Sequence, residues 1–207
     1  MIEVFKFVTG SLSVNTYVLA KKGESEAVAI DVGGDAELIE KEMLKHGFTI
    51  KTVLLTHGHF DHIGGVKYFQ NKGAKVYIGE KDEKFLHDKS LNLALICGAN
   101  IESFYADYTL KEGDEITLHG INFKVYETPG HTIGSVCYLT ENYIFTGDTL
   151  FERSFGRFDF PTGDFNALTK SIIRLFEIDE DLIVYPGHGG ATRLLEEKDN
   201  NSILNYI

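Results

Sequence analysis

Four times along this chain, a short apolar run ends abruptly in a turn that carries histidine or aspartate. TVLLT leads into HGHFDH at residues 57–62, FKVYET into PGHTIG with His131, YIFTG closes on Asp148, and LIVYPG on His188. Apolar, β-branched or aromatic runs of this length, bounded by glycine, read as buried strands. The glycines let the backbone bend tightly just past each strand. In sheets covered by helices, ligand sites gather at the carboxyl ends of strands. Any fold for this chain therefore has to bring these four strand ends together.

Strand-length runs recur throughout: EVFKFV, NTYVLA, AVAIDV, TVLLT, KVYIG, FKVYET, SVCYLT, YIFTG and LIVYPG. Helical patterns lie between several of them. In DAELIEKEMLKHG, Ala36, Ile39 and Met43 repeat at helical spacing, with Asp35 as the expected cap and Gly47 as the stop. GGVKYFQNKG predicts a short helix ended by Gly73. DFNALTKSIIRLFE places Leu168, Ile172 and Leu175 on one stripe behind Asp164 as cap, and a last helix is expected over TRLLEEKDNNSIL, opened by Thr192. The early strands follow one another as hairpins and the later ones alternate with helices, which gives an α/β class with mixed sheets. Residues 80–112 fit the alternation least; a helix plus irregular chain is expected there, shaping a pocket with Tyr105. No linker or low-complexity stretch marks a boundary, so residues 1–207 are read as a single domain.

Composition removes several classes of function. A net charge of −11 without a Lys/Arg cluster disfavours nucleic acid as a partner. No run of roughly 18 apolar residues offers a membrane span, and the opening MIEVFKFVTG lacks the features of a signal peptide, so a cytoplasmic protein is expected. Cys97 and Cys137 lie outside any C-x-x-C pattern and are expected to be small buried apolar residues. His46, His87 and His119 sit in charged contexts and are read as solvated.

The other five histidines carry the chemistry. His57 and His59, two apart after a strand, can present both rings to one side. Asp61 and His62 follow at the turn into a helix. So many donors beside a buried strand would repel or stay desolvated without a cation. Five imidazoles and two carboxylates exceed what one tetrahedral zinc needs but suit two metals. His57, His59 and His131 can hold one, Asp61, His62 and His188 the other, with Asp148 bridging. Two ions roughly 3.5–4 Å apart would share a water, lower its pKa and polarise an electrophile.

In this order, HGHFDH, PGHTIG, TGD and PGHG resemble the motifs of the metallo-β-lactamase superfamily. The resemblance implies a four-layer αββα sandwich with mixed sheets, and the ligand roles above for His57, His59, Asp61, His62, His131, Asp148 and His188. It also implies that Asp31, in AIDVGG, is a carboxylate behind the ligands that orients them. Metallo-β-lactamases themselves usually have Cys, Ser or no bridging carboxylate where this chain has Asp148, which argues against antibiotic hydrolysis. Flavodiiron proteins carry Glu at the position of His59, and the nucleases of the superfamily carry basic surface or extra domains.

DTLFERSFGRFDFPTGD and the ending GHGGATRLLEEKDNNSIL, with its T-x-x-x-E-x-x-x-N pattern, are similar to the short form of glyoxalase II-like hydrolases. Zinc is the default for such His/Asp ligands, with iron and manganese suiting the same mixture, and the likeness implies a small acyl thioester such as S-lactoylglutathione as substrate. A metal-bridging hydroxide would attack the thioester carbonyl, Asp61 could relay its proton, and Arg157 with Phe158 would contact the substrate. The chain ends about twenty residues after His188, without the helical domain that grips glutathione in glyoxalase II proper. Two other readings stay open. Persulfide dioxygenases of the superfamily bind one iron through groups matching His57, His131 and Asp148, although they commonly have Cys where this chain has Phe155. The third reading is an inactive metal-binding scaffold.

Overall fold

The computed structural model describes residues 1–207. The first half forms a six-stranded sheet ordered β1 (Ile2–Thr9), β2 (Val14–Lys21), β3 (Glu26–Ile30), β4 (Thr49–Leu55), β5 (Lys75–Gly79) and β6 (Tyr108–Leu110). Pairing is antiparallel from β1 to β3 and parallel from β3 to β6. The second half builds another six-stranded sheet from β7 (Glu115–Leu118), β8 (Ile121–Glu127), β9 (Val136–Thr140), β10 (Tyr143–Gly147), β13 (Ile183–Pro186) and β14 (Thr192–Arg193). A two-stranded hairpin, β11 (Leu150–Phe151) and β12 (Ser154–Phe155), stands apart. The later strands were expected to alternate with helices, yet β7 to β10 form an antiparallel meander, and only the β10 to β13 crossover is parallel.

The layers follow from the two-residue period of a strand. Along β2, Val18 and Ala20 point outward and join Ala27, Ala29, Val53 and Leu55 beneath Ile39 and Met43 of α1 (Ala36–Lys45). Val66 and Phe69 of α3 (Val66–Asn71) complete that outer core. Tyr17 and Leu19 point inward with Val28, Ile30 and Leu54, meeting Phe123, Val125, Val136, Tyr138 and Phe145 of the second sheet. On the far side, Cys137, Ile144 and Val184 lie under Leu168, Ile172 and Leu175 of α5 (Phe165–Phe176) and Leu194 of α6 (Leu194–Asn200). Three buried clusters thus separate four layers, helix, sheet, sheet and helix. No helix is long and apolar enough to cross a membrane.

Several local expectations change. Asp164 caps α5 as predicted, accepting from Ala167 N at 2.8 Å. Asp35 precedes α1 but does not cap it through its side chain; its backbone is left-handed (φ 52°), and its carboxylate accepts from Gly10 N at 3.0 Å. Thr192 lies in β14 and not at a helix start. The expected single last helix is broken at Asn201, whose side chain caps a following 3-10 turn, Ser202–Tyr206, by accepting from Ile203 N. Residues 80–112 hold the 3-10 helix Glu80–Leu86, the one-turn α4 (Ala94–Cys97) and the unexpected strand β6. His119 is largely covered, touching Thr52 at 2.9 Å and Glu26 at 2.9 Å, whereas His46 is open to solvent.

The T-x-x-x-E-x-x-x-N spacing points at Glu196 and Asn200, but the working groups are one residue on. Glu197 is fully buried and accepts from the Thr192 hydroxyl (2.7 Å), Arg153 N (2.9 Å) and the Asn201 amide (2.6 Å). Asn201 in turn donates to Phe151 O and Ser154 O at 3.2 and 2.9 Å, pinning the β11–β12 hairpin to the chain's last helix. Removing a buried acceptor leaves its donors unpaired. Glu197→Ala is therefore expected to cost about 3 kcal/mol or more in urea unfolding, and Glu196→Ala less than about 0.5 kcal/mol.

Candidate metal centre

Each donor predicted from the sequence stands at one edge of the sandwich. His57 and His59 follow β4, and Asp61 and His62 lie in α2 (Phe60–Ile63); His131 lies between β8 and β9, Asp148 follows β10, and His188 follows β13. The first sheet supplies one strand end and the second supplies three. The ligand atoms of His57, His59 and His131 all lie within 4.8 Å of one another, as do those of Asp61, His62 and His188. Asp148 stands between the groups, 3.7 Å from His131 Nε2, 3.4 Å from His62 Nε2 and 3.6 Å from His188 Nε2. His188 Nε2 is also 3.4 Å from Asp61.

Hydrogen bonds behind the rings settle which nitrogens face inward. A carbonyl or carboxylate oxygen can only accept, so His131 Nδ1 carries a proton for Arg157 O (2.7 Å), and His62 Nδ1 carries one for Asp31 (3.0 Å). Thr56 Oγ1 spends its own proton on Asp31 at 2.6 Å and so accepts from His57 Nδ1 at 3.1 Å. The Nε2 lone pairs of His57, His62 and His131 are then left to face the centre. Asp31 sits just past β3 in a left-handed conformation (φ 52°), accepting from Thr56 N at 2.8 Å as well. It joins two neighbouring strand ends to α2.

The result is a buried concentration of electron pairs. Burial, reinforced by the neighbouring imidazoles, holds His57 well below the usual imidazole range and His59 at about 3. Burial likewise lowers His131. Burial also opposes a charge on His62, but the Asp148, Asp61 and Asp31 carboxylates outweigh it and raise that ring well above its ordinary value. Asp148 is held low despite its burial, chiefly by His62. His57 Nε2, His59 Nε2, His62 Nε2 and Asp148 Oδ1 are buried with no hydrogen-bond partner. His59 Nδ1 and His131 Nε2 approach to 2.9 Å. Unpaired donor atoms converging on one point are costly in a protein interior unless a cation pairs with them, and imidazole with carboxylate fits a divalent ion.

A cavity of about 340 Å³ opens over His59, Asp61, His131, Asp148 and His188. Arg157 reaches its wall, with its guanidinium bound to Asp159 at 2.9 and 2.8 Å. Phe158 does not reach it: its ring packs on Phe165, and Phe160 takes the place beside the cavity. Tyr105 lies exposed against His87, away from the centre. Cys137 is buried as expected; Cys97 is exposed and lines the cavity instead, because α4 is a single turn held against the mouth.

One residue escaped the sequence reading. Asp82 is completely buried and accepts from Gly58 N (3.1 Å) between His57 and His59, and from the Thr132 hydroxyl (2.7 Å) and Gly134 N (2.8 Å) beside His131. It fastens two donor-bearing turns from different sheets to each other. The two glycines are needed for this approach: a Cβ on Gly134 would lie 2.3 Å from Asp82 N, and one on Gly58 2.3 Å from Phe85 Cβ. Burial pushes the Asp82 carboxyl up to about 6, against the pull of these bonds. In EKDEKFLHD it is one charge among many, with no spacing to set it apart. Because all three partners are donors, Asp82→Asn turns an amide N–H₂ toward at least one of them. A loss of metal affinity of about 10–100-fold is expected in chelator competition, with the fold retained by circular dichroism.

The family model described as metallo-beta-lactamase superfamily matches residues 9–188. Hydroxyacylglutathione hydrolase GloC of Haemophilus influenzae is 36% identical over 188 residues, covering 88% of this chain and 89% of its own. Among solved structures, BLEG-1 B3 metallo-beta-lactamase superposes with a TM-score of 0.92 at 36% identity, covering 99% of both chains. TTHA1623 in a di-iron-bound form superposes at 0.85 with 32% identity, covering 96% of this chain and 99% of its own. Family and geometry together indicate divalent-metal binding, and with two mixed sheets between helical layers, the chain belongs to the metallo-β-lactamase superfamily.

Proposed function

We propose that this chain is a dinuclear metal-dependent hydrolase of acyl thioesters. The observation that carries the reading is the pair of adjoining donor groups, His57, His59 and His131 on one side and Asp61, His62 and His188 on the other, with Asp148 within reach of both. The likeness to GloC supports thioesters as the substrate class. Zinc is the expected metal; the di-iron form of TTHA1623 supports iron as the competing one.

When bound, two such ions supply an activated water and a Lewis acid for a carbonyl oxygen. The chain's own groups do the rest. Nδ1 protons on His57, His62 and His131, held by Thr56, Asp31 and the Arg157 carbonyl, keep the ring orientations that a reacting carbonyl requires. Asp61 borders the cavity, 3.4 Å from His188, and can take up the proton released from the attacking water at a carboxylate oxygen. The leaving thiolate needs no general acid, since its conjugate thiol has a pKa of about 8.5. This agrees with the absence of any further carboxylic acid among the cavity-lining residues.

The likeness to BLEG-1, described as a B3 metallo-β-lactamase, makes β-lactam opening the second reading, since the same chemistry attacks a strained amide. Metal content and turnover separate the possibilities. About two metals per chain with hydrolysis of S-lactoylglutathione or related thioesters is the expected result. Two metals with hydrolysis of a cephalosporin alone would favour the second reading, and one iron with oxygen uptake on glutathione persulfide would favour a dioxygenase. In Asp148→Ala, kcat/KM is expected to fall about 1,000-fold or more, with at least one metal lost per chain; inertness of the unmodified holoprotein toward every substrate would instead leave a metal-binding scaffold.

A further inference from the structure

Apart from the candidate metal ligands, the cavity wall is hydrocarbon. Leu12, Phe60, Leu93, Phe151, Phe155 and Phe160 face it, and the remaining lining groups are the Cys97 thiol and Arg157. Arg157 has the only cationic side chain in that wall besides the histidines, and its Nε and Nη2 are already given to Asp159. Its guanidinium also lies 4.2 Å from the Phe160 ring centre. Glutathione brings two carboxylates and an ammonium. The N–H groups that Arg157 keeps free of Asp159 can serve one carboxylate at most, so moving the second carboxylate and the ammonium into this cavity would leave charge without a partner, at more cost than their apolar atoms regain. A chain of net charge −11 adds no attraction for an anion.

The aromatic wall is also built in advance. Asn201 holds the β11–β12 backbone at Phe151 and Ser154, placing Phe151 edge-on to His188 and Phe155 edge-on to Tyr206, at 6.2 and 6.0 Å. Phe160 stands edge-on to His59 at 5.9 Å, and Phe60 is packed with Leu93 and Ala94. These rings abut the donors themselves, so the group next to a reacting carbonyl meets carbon on its sides. A preformed apolar cavity with polar groups at its floor selects ligands by their apolar part.

We infer that the substrate is an uncharged thioester bearing an aromatic or branched-aliphatic substituent, and that the site does not grip glutathione. This rests on the thioester-hydrolase reading and narrows it. The test uses four unreactive thioethers on the metal-loaded protein, in calorimetry: benzyl or methyl, each on N-acetylcysteamine or on glutathione. On the neutral handle, benzyl is expected to bind about tenfold or more tighter than methyl. The glutathione handle is expected to add no affinity with either substituent, and Phe160→Ser or Phe155→Ser to remove most of the benzyl gain while metal content stays the same. Tighter binding of the glutathione thioethers, or a benzyl gain untouched in both variants, overturns the inference. The matching thioesters, assayed in parallel, separate the two claims. Expected binding with no turnover of any thioester keeps the cavity's preference and removes the hydrolase reading; turnover with glutathione preferred does the reverse.

Discussion

Everything in this molecule answers to one electrostatic constraint: imidazole lone pairs and two carboxylates are gathered in a space from which water is largely excluded. His57 and His62 are at most 1% exposed, and His59 and His131 3%. Such a gathering is unfavourable by itself. The nearby Asp148, Asp61 and Asp31 carboxylates, which raise His62 well above its ordinary value, and the Asp61 and Asp148 carboxylates, which raise His188, offset part of it, and divalent cations can offset the rest. The fold holds the donors at fixed positions, so the cost of bringing them together is met during folding, by three apolar interfaces remote from the centre.

Holding them takes more than strands. Three buried carboxylates perform the same task at three places. Asp31 ties the end of β3 to Thr56 and His62, Asp82 ties the turn of His57 and His59 to the turn of His131, and Glu197 ties the last helix toward the hairpin that walls the cavity. Each is almost wholly buried and accepts three N–H or O–H hydrogen bonds, at least one of them from a segment more than twenty residues away in sequence. A buried carboxylate is tolerated only with such a full set of donors. That requirement makes each one a rigid clamp, since moving either partner segment strands the charge.

Much of this was legible in the amino-acid order. Strand runs followed by His or Asp marked the four strand ends, because β-branched runs and glycine turns are local signals; six of the seven candidate donors predicted from them fall into two close groups, and Asp148 stands within 3.4–3.7 Å of both. Local signals failed where partners lie far away in sequence. Asp35 looks like a helix cap, but its carboxylate is taken by Gly10; Thr192 looks like a helix start, but its backbone pairs with β13. The C-terminal spacing pointed to Glu196 and Asn200, one residue short of the pair whose side chains turn inward. Phe158 and Phe160 could not be told apart by composition, and only the path of the loop turned one toward Phe165 and the other toward His59.

The sequence by itself determined the candidate donors, the α/β class with mixed sheets and the positions of the strands that carry those donors, since residue type and two-residue periodicity act locally; the four layers were implied by the family resemblance. Tertiary structure decided the rest. It chose which nitrogen of His57, His62 and His131 faces the centre, through partners such as the Arg157 carbonyl that no spacing could reveal. It made Asp82 a clamp between two sheets, and it paired Arg157 with Asp159 beside the Phe160 ring at the cavity rim. These outcomes depend on which donors and rings meet across long chain separations, and that is fixed only when the two sheets pack together.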